Sequence, residues 1–144
     1  MRFMVLVKAT AETERGMKPS DAAMLDAMGK FNDELVKAGV MLEGEGLHPS
    51  TKGVRVQFGG KGKTKVIDGP FAETKELVAG YWIWQVRSRD EAVEWLKRAP
   101  FTEGDVVEIR QIFEAADFVA AGIPADNEAL IKEAGLREQL KKKQ

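Results

Sequence analysis

The chain has 144 residues, 44% of them hydrophobic, which suits one packed core in a domain of ordinary size. Charged residues make up 31% yet sum to a net charge of -1, so no overall field draws the chain to nucleic acid or to an anionic membrane. Cysteine is absent and His48 is the only histidine, which excludes disulfides, thiol catalysis and thiolate metal sites and argues against zinc.

The opening segment, MRFMVLVKA, is apolar for too few residues to read as a secretory signal, and no later run is long enough to cross a bilayer. The expected location is the cytoplasm. Residues Phe3 to Ala9 predict a first strand, with Phe3, Val5 and Val7 on one face and Met4 and Leu6 on the other. A polar loop follows, up to Ser20, which is expected to cap a helix over 21–38. Met24, Met28, Phe31 and Leu35 line one side of that helix, and Gly39 stops it.

Val40 to Leu47 predicts a second strand, in which Gly44 and Gly46 suggest a bulge or a close backbone approach. Two short strands, 53–58 and 64–67, joined by GGKGK, read as a hairpin that buries one face only. The stretch DGPFAETKE reads as a loop or a single turn. Leu77 to Val86 is the strongest strand: Tyr81, Ile83 and Gln85 face one side, Trp82, Trp84 and Val86 the other. Ser88 and Glu91 form a capping box that opens a second helix through Arg98, closed by Pro100. Val106 to Phe113 predicts the last strand. From Asp126 a weak helix runs to about Lys141, and the lysines at 141–143 read as a solvated tail.

The resulting order, β-α-β-β-β-β-α-β, gives two helices that can cover one face of an antiparallel sheet. The other face retains large apolar side chains, which predicts a homodimer stacked sheet against sheet. Trp82, Trp84 and Trp95 read as core or dimer interface.

The run from Val66 to Glu76, VIDGPFAETKE, followed closely by Gly80-Tyr81, resembles the DGPF family, a branch of the YCII-related proteins. Gly44-Glu45-Gly46-Leu47-His48-Pro49 and Val107-Glu108-Ile109-Arg110 extend the resemblance over most of residues 1–118. It implies an α+β, ferredoxin-like fold and a dimeric α/β barrel, with residues 119–144 as a partly helical extension. It supplies no reaction; some relatives are linked to extracytoplasmic-function sigma factors. Smaller relatives carry a proposed catalytic pair, a histidine in the first helix and an aspartate before a Pro-aromatic dipeptide. Here the first helix has no histidine and Ala99 precedes Pro100-Phe101, so that pair does not transfer.

Chemistry must then come from other residues. Asp68 reads either as part of a tight Asp-Gly-Pro turn or as a base at the mouth of a cleft. His48 reads as a loop residue or as the matching acid. Glu73 and Lys75 read as a solvated loop or as ligand contacts, with Lys75 as an electrostatic helper. Tyr81 and Arg110 are further candidates for holding a ligand; each has a structural alternative, in the core for Tyr81 and in a cross-strand pair for Arg110. Two functions follow. One is cofactor-free acid/base chemistry on a carbonyl or lactone compound in a dimer cleft. The alternative is a non-catalytic ligand-binding or regulatory module, linked to sigma-factor transcription systems. Neither requires a metal, a cofactor, nucleic acid or a membrane.

Overall fold

A computed structural model describes residues 1–144 as two compact units, Met1–Gln111 and Ile112–Gln144. In the first, β1 (Arg2–Lys8) is flanked by β5 (Val78–Gln85) and β6 (Val107–Gln111), and β2 (Met41–Gly46) joins the far side of β5. All pairings are antiparallel. With α2 (Ala22–Lys37) between β1 and β2, and α3 (Arg89–Lys97) between β5 and β6, this is the split βαβ order of ferredoxin-like folds. No helix is long and apolar enough to cross a membrane.

The alternation of side chains along the strands decides which face is covered. Phe3 pairs with Trp84 and Val5 with Trp82, so these four share one face. Phe31 and Leu35 from α2 and Ala92 from α3 are buried against them, which puts both helices on that face. Fully burying side chains such as Leu35, Val5 and Phe3 stabilises the fold by roughly 1.5–3 kcal/mol each. Phe31 meets both indoles edge-on, at 6.0 and 6.3 Å between ring centroids. Trp82 and Trp84 are therefore core, and Trp95 packs beside that core.

Several local expectations are corrected. Ser20 does not cap α2; it lies inside a 3-10 turn, Pro19–Asp21, whose first free N–H, on Lys18, is taken by the Asp21 carboxylate. Part of the polar loop forms a short helix, α1 (Ala11–Glu14), because Thr10 and Thr13 cap each other reciprocally. The hairpin of β3 (Val54–Phe58) and β4 (Thr64–Asp68) does not bury one face. Val54, Val56, Phe58 and Val66 stay 57%, 50%, 82% and 64% exposed, because the hairpin pairs only with itself and adds no strand to the main sheet.

The second unit holds α4 (Ala115–Ala120), which the sequence reading missed, and α5 (Glu128–Lys142). Asn127 caps α5 by accepting the backbone N–H groups of Ala129 and Leu130. Within this unit the rings of Phe113 and Phe118 pack at 5.2 Å, tilted by 35° to one another.

Candidate functional site

A cavity of about 330 Å³ opens between the first half of α2 and the β2–β5 side of the sheet. Its wall includes Met17, Met24, Leu25 and Met28, with Trp82 and Phe101 as aromatic surfaces. The helical period that puts Phe31 and Leu35 into the core puts Met28 and Met24, one and two turns before Phe31, along the same side of α2. Gly44 forms part of the floor because nothing larger fits: a Cβ there would lie 2.6 Å from Trp82 Cδ1 and 2.8 Å from Met41 Cε. The register of this strand against β5 slips between Met41 and Glu43, ahead of the glycines that suggested a bulge, and Gly44 and Gly46 are themselves regularly paired.

Asn32 supplies the cavity's amide. The Trp82 indole, which can only donate, gives its N–H to Asn32 Oδ1 at 2.9 Å. That bond fixes the amide's orientation and leaves its NH₂ group as a donor. Trp84 Nε1, by contrast, is buried with no acceptor.

The face opposite the helices has an ordered layout. Across the sheet, Glu45, Tyr81, Leu6 and Glu108 form one row, and Glu43, Ile83, Met4 and Arg110 the next. An apolar centre of Leu6, Met4 and Ile83 is thus flanked by carboxylates on β2 and by Glu108 and Arg110 on β6. The Tyr81 hydroxyl donates to Glu43 Oε1 at 2.7 Å. That hydrogen bond, then partial desolvation and the charges of Glu43 and Glu45, pushes the phenol above its ordinary value, so it stays protonated well past neutrality.

Of the six residues the sequence singles out, Tyr81 alone borders the cavity, through its strand, while its hydroxyl lies with Glu43 on the opposite face of the sheet. Arg110 is exposed on β6 and pairs with Glu108 at 3.3 Å. His48 is exposed beyond the end of β2. Asp68 is the exposed last residue of β4, opposite Val54. Glu73 precedes a 3-10 turn over Thr74–Glu76 that contains Lys75, and both side chains are exposed.

The Asp-Gly-Pro-Phe segment itself is tied into the structure. Gly69 donates its N–H to Gly53 O at 2.9 Å and lies so close to Ser50 that a Cβ would sit 1.7 Å from the Ser50 carbonyl oxygen. Phe71 donates its N–H to Ser50 Oγ, and the Ser50 hydroxyl donates onward to the Glu14 carboxylate. Arg55 stacks on the Phe71 ring at 3.8 Å. The sequence reading missed Glu14, Ser50, Asn32, Glu43 and the cavity methionines. The alternation of Glu43 and Glu45 on an edge strand was a usable signal for the carboxylates; nothing local marks Ser50. No three His, Asp or Glu side chains are grouped so as to hold a metal ion.

Comparison with known proteins gives three findings. The family model of the YCII-related domain matches residues 1–116. An uncharacterised protein of Rhizobium meliloti (strain 1021) is 31% identical over 85 residues, which cover 59% of this chain and 68% of that protein. The solved structure of 5-chloro-2-hydroxyhydroquinone dehydrochlorinase from Burkholderia phenoliruptrix AC1100, in complex with 2,5-dihydroxybenzoquinone, is 16% identical; the match covers 81% of this chain and 98% of that one, with a TM-score of 0.40.

Proposed function

The chain belongs to the YCII-related domain family, and on that premise we propose that it is a homodimeric protein that binds a small, largely apolar ring compound bearing a carbonyl or lactone oxygen. The observation that carries this reading is the wall of the cavity under α2. Its volume of about 330 Å³ falls in the range of small-ligand sites, and its lining is apolar with few polar groups, the usual composition of such sites. Methionine side chains are flexible and polarisable and adapt to ring shapes. The free NH₂ of Asn32 offers the donor that a carbonyl acceptor needs.

Acid/base chemistry in a cleft closed by a second copy is a second reading, and one observation favours it. The Tyr81–Glu43 pair lies on the sheet face opposite the two helices, beside the apolar centre that a second copy would cover. In this reading Asp68 is the base, His48 the acid and Lys75 the electrostatic helper, with Glu73, Tyr81 and Arg110 holding the ligand.

A thermal-shift panel of aromatic acids, lactones and ring ketones tests the binding reading. A ligand at 100 times its Kd stabilises the native state by about 2.7 kcal/mol. The shift is expected in the native chain and is lost in Met24→Trp, which fills the cavity from its exposed side. A shift that survives Met24→Trp but is lost in Asp68→Asn supports the acid/base reading instead. The absence of any shift across the panel contradicts both.

A further inference from the structure

We propose that the β3–β4 hairpin is a dimerisation arm that grips the β2 margin of a second copy and places its lysines against the carboxylates of that strand. An isolated two-stranded hairpin is marginally stable in water and needs an apolar face packed on something. This one carries such a face. Val54, Val56 and Phe58 alternate along β3, and Val66 pairs with Val56 on β4, so all four project to the same side. All four are exposed, and β3 and β4 form a sheet of their own. A contiguous apolar stripe of this kind marks an interaction surface.

Charge selects the occupant. At the hairpin's turn, Lys61 and Lys63 have no acidic partner, and Asp68 is the hairpin's lone acid. The matching surface is on the same chain. β2 is an edge strand, so its outer backbone groups are open to a partner. Leu42 within it and Leu47 just beyond it are about half exposed, and Glu43 and Glu45 are exposed and acidic with no cation in the strand. An apolar stripe with lysines at its end therefore meets two leucines with two glutamates. The fit is reciprocal in a two-fold pair, because each copy carries one arm and one margin.

The inference rests on the homodimer of the proposed function for its stoichiometry, but not on the nature of the ligand. Sedimentation velocity across a concentration series tests it on the full chain, with circular dichroism to verify that each variant is folded. The native chain is expected to be a dimer. Val56→Asp with Phe58→Asp should raise the dimer dissociation constant about 100-fold or more, as burying unpaired charge in an interface does. Lys61→Glu with Lys63→Glu should raise it about tenfold, and adding Glu43→Lys with Glu45→Lys should restore most of that loss. A native dimer unmoved by the hairpin variants overturns the arm and leaves the homodimer standing. A native monomer overturns both. Lysine variants that lose retention of duplex DNA or RNA without altering the dimer would assign the hairpin to nucleic acid and overturn the proposal as well.

Discussion

Phe71 donates its backbone N–H to Ser50 Oγ at 3.0 Å, joining the Asp-Gly-Pro-Phe loop to a turn 21 residues earlier in the chain. The same hydroxyl donates to Glu14, and the Ser50 N–H reaches that carboxylate at 3.1 Å. One serine thus holds three segments together. Ser50→Ala should cost about 1–3 kcal/mol, the penalty for leaving the partly buried Glu14 carboxylate and Phe71 N–H without their hydrogen bonds. Gly69→Ala should cost at least as much, because the new methyl group meets a backbone oxygen that cannot rotate away. Urea denaturation of both variants checks this. Stability within 0.5 kcal/mol of the native chain, in roughly the range of neutral surface changes, would remove the latch.

Asn32→Ala should destabilise the protein by about 1–3 kcal/mol, because it leaves the buried Trp82 N–H without an acceptor. Trp84→Phe offers the contrast: it deletes an N–H that has no partner, so its cost is confined to lost packing. Chemical denaturation of the pair of variants should show intact two-state unfolding in each. Their tryptophan fluorescence should differ, since only Asn32→Ala keeps all three indoles.

Tyr81 is the only tyrosine, so the absorbance change on phenolate formation reports on it alone. Its phenol should titrate above the ordinary tyrosine value, and Glu43→Gln should bring it down, since the hydrogen bond to Glu43 is the largest cause of the shift. The folded state then holds this proton more tightly than the unfolded chain. The resulting stability is fully present below the unfolded pKa and is lost as pH rises through the folded one. A titration at or below the free tyrosine value would contradict the Tyr81–Glu43 pairing.

How much of this was legible in the sequence depended on how local each signal is. The alternation of Phe3, Val5 and Val7 against Met4 and Leu6 gave the two faces of β1, and the Ser88–Glu91 spacing gave the start of α3, where Ser88 Oγ accepts the Glu91 N–H. Gly44 and Gly46 suggest a bulge or a close backbone approach; the fold brings the Trp82 side chain against Gly44, whereas a Cβ at Gly46 would meet nothing within 4 Å. The failures involve partners distant in the chain. Alternation in β3 predicts burial of one face, but the body of the protein does not reach that stripe. Ser50 looks like any loop serine until Glu14 and Phe71 converge on it. Met24 and Met28 read as core because helical periodicity does not distinguish a filled interior from the wall of a cavity.

The binding reading is tested most directly by methyl NMR of the protein labelled at its six methionines, titrated with the lactone and ring-ketone panel. Met17, Met24 and Met28 line the cavity, whereas Met4 lies on the opposite face of the sheet, in register with Ile83 and Arg110. The account predicts that a bound compound moves the methyl signals of Met17, Met24 and Met28 and leaves Met4 in place. Shifts centred on Met4, with the three cavity methionines unmoved, would contradict it.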